Sequence, residues 1–211
     1  MKFVKIPAIA ISRLSVYARN LALLDQKGVE VISSVRLAEI CGINPAQIRK
    51  DLAYFGEFGV RGVGYYVKEL LFEVRKILGL DREWRLGLVG VGNLGSALLR
   101  HAHFMQQGYT FVAAFDKKAK IIGVQIGNVK VAPIEDMNRL IRKKGVEIGV
   151  IAVSPELAQK VADRLVAAGV RGILNFAPVQ LQGPPGVFIE NVDFTLKLDV
   201  LCYRLTSPIS R

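Results

Sequence analysis

The sequence has few residues of the types that build disulfide frameworks or metal centres, and it has no long hydrophobic run. Among its 211 residues are two cysteines, two histidines and one tryptophan. No apolar run reaches the roughly 18 residues that a transmembrane helix needs, so we predict that the chain does not span a membrane. Residues 1–7 carry two lysines and no continuous apolar segment, which is not typical of a signal peptide. Because Cys41 and Cys202 both lie in apolar helical patterns, we expect buried free thiols and a cytoplasmic location.

Candidate catalytic and metal-binding residues are also scarce. His101 and His103 are two positions apart in a helical pattern, so their side chains point to different faces and predict no metal site. No tyrosine is followed four residues later by a lysine, which removes one common acid–base pair of dehydrogenases. We therefore expect no catalytic residues and no enzymatic activity.

Positive charge is in excess. The chain has 29 basic and 18 acidic residues, a net charge of +11, which favours a polyanionic partner such as nucleic acid. Residues 1–80 and residues 81–211 both carry a surplus, so total charge does not indicate which half contacts that partner. The local arrangement of residues has to decide this.

A glycine fingerprint follows the apolar run at residues 86–89. Its residues are Gly90, Val91, Gly92, Asn93, Leu94 and Gly95. An apolar helical pattern comes next, and Asp116 ends the following apolar run. Strand, glycine turn, helix and a later acid are the layout of a βαβ unit that binds a dinucleotide, with the pyrophosphate at the helix N-terminus. We predict that Asp116 accepts hydrogen bonds from the adenosine ribose, which favours NAD(H).

One feature keeps a second cofactor class open. Lys117 and Lys118 directly follow Asp116, and basic residues there are compatible with the 2′-phosphate of NADP(H). An acid alone at this position would repel that phosphate. We expect NAD(H) and retain NADP(H) as the alternative.

The residues before this fingerprint predict a DNA-binding module. Asn44 and Pro45 are typical of a helix start, and Gln47 occupies the position of a capping-box partner. A preceding helix that ends at Gly42 completes a helix-turn-helix pattern. A recognition helix reads bases mainly with its N-terminal residues. The candidate DNA-contacting residues are Gln47, Arg49, Lys50 and Tyr54, together with Arg61 in a glycine-rich segment, 56–66, that we predict to be a β-hairpin wing.

From Trp84 onward, strand and helix patterns alternate, which predicts a parallel sheet with helices on both faces. The predicted strands are 85–89, 110–115, 129–131, 148–153, 173–176 and 187–190, and the predicted helices are 93–104, 134–144, 155–168 and 193–204. The expected α/β architecture is a winged helix-turn-helix domain at 1–80, a Rossmann-like nucleotide-binding domain at 81–192 and a C-terminal helix at 193–211.

Taken together, these residues resemble the Rex family of redox-sensing transcriptional repressors. The most specific matching segments are residues 49–56, Arg-Lys-Asp-Leu-Ala-Tyr-Phe-Gly, and residues 61–65, Arg-Gly-Val-Gly-Tyr. Further matches lie at residues 11–14, 90–98, 172–178 and 190–194, so the resemblance extends over nearly the whole chain.

The resemblance implies a homodimer that exchanges its C-terminal helices. It also implies binding to palindromic double-stranded operator DNA when NADH is scarce, with release when NADH rises and NAD⁺ as a weak competitor. By position, Phe194 would enter the nicotinamide pocket of the partner subunit, and Arg19 and Asp193 would belong to an inter-subunit polar network. His101 stands where related chains have a tyrosine, so that network differs here.

Two other functions remain as alternatives. One is an NAD-dependent oxidoreductase with a helical N-terminal extension. The other is a CoA-binding domain protein, because such domains share this fold and its glycine turn.

Overall fold

The computed structural model describes residues 6–101, 104 and 107–206, and these form two compact units that divide between Arg82 and Glu83. Within the described residues, no helix is both long enough and apolar enough to cross a membrane.

The first unit is mainly helical. Its helices are α1 (Ala8–Gln26), α2 (Ser34–Cys41), α3 (Pro45–Ala53) and α4 (Val67–Ile77), and its two short antiparallel strands are β1 (Val31–Ile32) and β2 (Tyr65–Tyr66).

Local sequence chemistry sets the bounds of the helix-turn-helix pair. The Ser33 hydroxyl accepts a hydrogen bond from the Arg36 N–H at the start of α2, and the Asn44 side chain accepts one from the Ala46 N–H at the start of α3. Gly42 ends α2 in the left-handed conformation, with φ of 64°, where glycine is favoured. Apolar side chains from all four helices then close one core. Its fully buried members include Leu14, Leu21, Leu37, Ile48 and Leu70.

The wing is smaller than the predicted hairpin. Only one isolated bridge forms in segment 56–64, between Val60 and Gly64, and it closes a tight loop that has Arg61 near its tip. Glycines supply no side chains to pack against a neighbouring strand, so the segment does not extend into a ladder. Tyr65 and Tyr66 pair instead with β1.

The second unit is a seven-stranded sheet flanked by helices. Its strands are β3 (Trp84–Val89), β4 (Tyr109–Asp116), β5 (Gln125–Ile126), β6 (Val129–Pro133), β7 (Ile148–Ile151), β8 (Gly172–Asn175) and β9 (Phe188–Asn191). Its helices are α5 (Asn93–Arg100), α6 (Met137–Lys144), α7 (Pro155–Ala167) and α8 (Thr195–Thr206), with short 3₁₀ segments at Ala119–Ile121 and Ile134–Asp136.

The strand order is β5-β6-β4-β3-β7-β8-β9, and all neighbours are parallel except the edge pair β5 and β6. Strand β5 was not predicted from the sequence. Successive connections from β3 run first towards β4 and later towards β7, so the strand order switches direction beside β3. Ligands of open α/β sheets bind outside the carboxyl ends of the strands at such a point.

Helix α5 is shorter than predicted. It ends at Arg100, and His101 already has an extended backbone, so the histidine follows the helix rather than lying on it. The turn between β5 and β6 packs against this end, because a side chain on Gly127 would collide with the carbonyl oxygen of Leu99. His103 lies outside the described residues.

The C-terminal helix α8 buries none of its residues within the chain. Its apolar side chains are exposed, among them Leu196, Leu198, Leu201 and Leu205 at 60%, 57%, 53% and 84%. Cys202 is exposed as well, so the expectation that both thiols are buried was wrong for this residue, and Cys41 is half-buried. An apolar pattern indicates a buried face only where another part of the structure covers that face. The described part of this chain does not cover the apolar side chains of α8.

Candidate functional site

The glycine turn after β3 leaves space that the protein itself does not fill. A side chain on Gly90 would collide with the Ala152 carbonyl of the neighbouring strand end, and one on Gly95 would collide with the Gly90 carbonyl. A Cβ on Gly92, in contrast, would meet no atom within 4 Å, and its backbone φ of −79° suits any residue. Helix α5 begins at the next residue, and its first N–H groups have no acceptor within the helix. The turn therefore fits a pyrophosphate that approaches close to the backbone.

Asp116, at the carboxyl end of β4, supports this turn from behind. Its Oδ2 accepts a hydrogen bond of 2.7 Å from the Val91 N–H, and its Oδ1 accepts one of 2.9 Å from the Lys118 N–H. The residue is 8% exposed. The carboxylate thus fixes the shape of the glycine turn in addition to bordering the cavity beside it.

That cavity has a volume of about 390 Å³ and lies between the carboxyl ends of β3, β4 and β7 and the start of α7. Gly90, Gly92 and Asp116 line it, together with apolar side chains of α7 such as Leu157. The combination of an apolar wall, a glycine turn and an acid matches the adenosine half of a dinucleotide site. Within the described residues, no group of three or more His, Cys, Asp or Glu side chains is arranged to hold a metal ion.

Phe194 does not line this cavity. Its ring is 61% exposed, and its centroid lies 6.4 Å from that of Phe176. Asp193 accepts hydrogen bonds from the backbone N–H and the hydroxyl of Thr195, at 2.8 and 2.6 Å, and these bonds lower the pKa of its carboxyl. Asp193 therefore initiates α8.

The other two predicted network residues, His101 and Arg19, are not among the residues that line the glycine-turn cavity. His101 stacks edge-on against Phe104, with ring centroids 5.4 Å apart. Arg19 is exposed on α1, in the other unit.

A buried amide, which the sequence did not single out, holds the chain that leads to Phe194. Asn175 is fully buried at the end of β8, where its amide nitrogen donates to the side chain of Asn191 and to the carbonyls of Ala177 and Val179. Its side-chain oxygen accepts from the Ala177 N–H. These bonds fix the loop after β8 and the end of β9, from which Phe194 and α8 continue.

The predicted recognition helix α3 is held by a buried carboxylate. Asp51 is 0% exposed and accepts a two-pronged pair of hydrogen bonds from the Arg13 guanidinium, at 2.5 and 2.7 Å. The Tyr17 hydroxyl and the Gln47 amide nitrogen donate to the same carboxylate, at 2.8 and 2.7 Å. Burial opposes ionisation of Asp51, but these donors outweigh it, and the pKa of its carboxyl lies below the usual value. Burial and the bond to Asp51 raise the pKa of Tyr17.

This network changes the interpretation of Gln47. The sequence placed it as a capping partner and base reader, whereas its amide nitrogen bonds to Asp51. A capping-box bond would need the Gln47 side-chain oxygen to accept from the Asn44 N–H, and no such bond forms among the described residues, where the bond to Asp51 sets the orientation of the amide. The side chain is half-buried.

The outer surface of α3 faces a concavity of about 530 Å³ beneath the wing. Arg49 and Arg61 line it together with Ser33 and Ser34. The Arg49 guanidinium donates a 2.9 Å hydrogen bond to the Ser34 hydroxyl, and Arg61 is exposed near the tip of the loop. Guanidinium groups and hydroxyls at a helix N-terminus are suited to contacting phosphates. The place of Ser33 and Ser34 in this surface becomes visible only through the fold.

Lys50 and Tyr54 lie towards the end of the same helix. Lys50 is exposed, whereas Tyr54 is half-buried and follows the last residue of α3. Of the five predicted DNA-contacting residues, the structure places Arg49 and Arg61 on one concave surface.

Comparisons with known proteins match two separate parts of the chain to family models. Residues 5–53 match a family model described as "Putative DNA-binding protein N-terminus", and residues 81–179 match one described as "CoA binding domain". Curated relatives named "Redox-sensing transcriptional repressor Rex" align over nearly the full length. The chain is 54% identical to the protein of Syntrophobacter fumaroxidans over 98% of this chain and 99% of the relative. It is 51% identical to that of Carboxydothermus hydrogenoformans over 97% and 99%.

Solved structures give the same result for the fold. A crystal structure of RSP in complex with β-NAD⁺ and operator DNA has a TM-score of 0.91 and 38% identity, and it covers 96% of this chain and 93% of that one. The structure of RSP with β-NADH has a TM-score of 0.87 and 36% identity, with coverage of 96% and 95%. With such identity over its whole length, this chain belongs to the Rex family of redox-sensing transcriptional repressors.

Proposed function

We propose that this chain is a cytoplasmic repressor that binds palindromic operator DNA as a homodimer and leaves it when NADH occupies the glycine-turn cavity. It thereby senses the ratio of NADH to NAD⁺. The observation that carries the proposal is the presence, in one chain, of a braced basic recognition helix and of the open space at Gly92.

In the DNA-bound state, Arg49, Lys50 and Arg61 contact the operator. Arg49 lies where a phosphate or a base edge is within reach, and Arg61 projects from a narrow loop that fits a minor groove. Gln47 keeps its carbonyl oxygen for a contact with DNA, while its nitrogen holds Asp51. Tyr54 contributes from the end of the helix.

In the nucleotide-bound state, residues 90–95 hold the pyrophosphate and Asp116 holds the adenosine ribose. Each oxygen of Asp116 uses one lone pair on a backbone N–H, which leaves a second for a ribose hydroxyl. When bound, NADH supplies an uncharged nicotinamide ring, which an apolar pocket accepts at lower desolvation cost than the cationic oxidised ring.

Dimerisation through α8 covers its exposed apolar side chains and brings Phe194 to the nicotinamide pocket of the partner subunit. The exposure of the apolar side chains of α8 in the single chain supports this assignment, because exposed apolar patches mark interaction sites. Arg19, His101 and Asp193 belong to the polar network between subunits.

NADH changes DNA binding only to the extent that it binds one arrangement of the dimer more tightly than the other. A coupling of about 1–3 kcal/mol is typical of such proteins. A palindromic site requires two recognition helices about one DNA turn apart, so a changed spacing releases the DNA. We assign no catalytic role to the residues that line the cavity, and the chain acts as a repressor rather than as an enzyme.

The experiment is a fluorescence-anisotropy titration of a palindromic DNA selected by this protein from a random pool. Saturating NADH should weaken DNA binding at least about tenfold, and NAD⁺ should weaken it less. Turnover of NADH with a small carbonyl substrate would favour an oxidoreductase instead, and tighter binding of CoA than of NADH would favour a CoA-binding protein.

A further inference from the structure

The cavity beside the glycine turn carries more positive charge than the ribose of NAD(H) requires. Lys117, Lys118, Lys160 and Arg164 line it, and Asp116 is the only acid among its lining residues. Lys117 and Lys118 follow β4, whereas Lys160 and Arg164 are three and seven residues further along α7 than Leu157. The cations therefore reach the cavity from two elements.

Three of these cations have no partner among the residues that the structure describes. The Arg164 guanidinium donates to the Ile134 carbonyl at 2.9 Å. The ammonium groups of Lys117, Lys118 and Lys160 form no ion pair or hydrogen bond with any described residue, and all three residues are exposed. Their charge is thus available to a ligand.

The charge of the acid, in contrast, is partly compensated. Two backbone N–H groups donate to Asp116, and it is almost fully buried behind the glycine turn. The partial positive charges of these N–H groups reduce the negative potential that Asp116 presents to a ribose phosphate. The unpaired lysine residues, in contrast, line the cavity with their charge uncompensated by any described residue.

We propose that this cavity also accepts an adenine dinucleotide whose ribose carries a 2′-phosphate, so that both NADH and NADPH bind in it. Lys117, Lys118 and Lys160 neutralise the 2′-phosphate and determine this breadth of specificity. The inference rests on the proposed function, since it concerns the ligands of the same cavity, and it makes the repressor responsive to both reduced nicotinamide cofactors.

The test measures dissociation constants of the full-length protein for NADPH and NADH by the fluorescence of the bound reduced nicotinamide. We expect NADPH to bind within about tenfold of NADH, with a steeper loss of affinity as salt increases, because added ions screen the phosphate contacts. Adenosine 2′,5′-bisphosphate should displace NADH more effectively than 5′-AMP does.

The double variant Lys117→Ala/Lys160→Ala should weaken NADPH binding about tenfold while NADH binding changes less than about threefold, because each exposed ion pair contributes only modestly. Lys143→Ala is the matched control, since Lys143 is exposed on α6 and does not line the cavity. It should change neither constant.

Two results would overturn the inference. One is that NADH binds the protein and causes it to release DNA, whereas NADPH does not bind the protein. In that case the specificity proposal fails and the repressor function stands. If the double variant weakens NADH and NADPH equally, the lysines do not recognise the 2′-phosphate. A protein that binds neither cofactor contradicts the proposed function as well.

Discussion

The buried aspartates of the two units, Asp51 and Asp116, are satisfied by different kinds of donor. Asp51 accepts from three side chains, on α1 and on its own helix, whereas Asp116 accepts from two backbone N–H groups. The first arrangement fixes one helix against another. The second fixes the shape of a loop that a ligand approaches.

The difference follows from what each site has to recognise. DNA recognition needs a rigid helix set at one angle, and side chains that are distant in sequence provide it. Nucleotide recognition needs backbone N–H groups and space, so the acid bonds to the backbone and Gly92 contributes no side chain. Variants of the two sites should therefore fail in different ways.

The largest effect is expected from Asp51→Ala. It leaves the half-buried guanidinium of Arg13 and the buried hydroxyl of Tyr17 without their acceptor, so we expect a loss of about 3 kcal/mol in the free energy of unfolding of the first unit, measured by urea denaturation. Glu39→Ala removes an exposed ion pair with Arg36 and should cost less than about 1 kcal/mol. Equal losses for the two variants would show that the Asp51 network is not structural.

Gly92→Ala should leave stability intact and impair binding. The added methyl meets no protein atom, but it occupies the space next to the pyrophosphate, so we expect NADH affinity to fall about 100-fold, or about 2.7 kcal/mol. The companion variant Gly95→Ala should destabilise the fold, because its methyl collides with the Gly90 carbonyl. Calorimetric titration and thermal unfolding separate the two outcomes, and wild-type affinity in Gly92→Ala would contradict the placement of the pyrophosphate.

Arg61→Ala should weaken operator binding about tenfold without altering NADH affinity or stability, because the side chain is exposed near the loop tip. Anisotropy at fixed salt measures this. Arg36→Ala, on the exposed surface of α2, is the control for a general loss of positive charge. Equal losses in the two variants would indicate that charge alone accounts for the contribution of Arg61.

The smallest expected effect is the change in the free energy of unfolding with pH. The folded pKa of Asp51 lies below the unfolded value of about 3.9. The stabilisation by ionised Asp51 is therefore fully present above that value and is lost as pH falls through the folded pKa. Denaturation of the wild type and of Asp51→Asn, followed from pH 6 downwards, should show a steeper acid loss in the wild type. Parallel curves would contradict this.

Much of this fold could be predicted because local residues specify it. Ser33, Gly42 and Asn44 cap or end helices as their side chains and conformations require, and the glycine turn with Asp116 has a fixed spacing. The bond between Arg13 and Asp51 could not be predicted, since 38 residues separate its ends and only the packing of α1 on α3 brings them together.

The remaining differences also have physical reasons. The bond from the Gln47 amide nitrogen to Asp51 orients that side chain, and the capping bond that local spacing predicted does not form among the described residues. The two-residue strand β5 is too short for an alternating pattern to reveal it. The apolar pattern of α8 predicted a helix correctly, but it did not say that its residues are exposed in the single chain.

The most direct test of the central claim is the operator affinity of wild type and Gly92→Ala across a titration of NADH. The operator affinity of the wild type should fall by at least about tenfold, whereas that of the variant should stay unchanged at the same NADH concentrations. Equal affinity of the wild type with and without saturating NADH would contradict it.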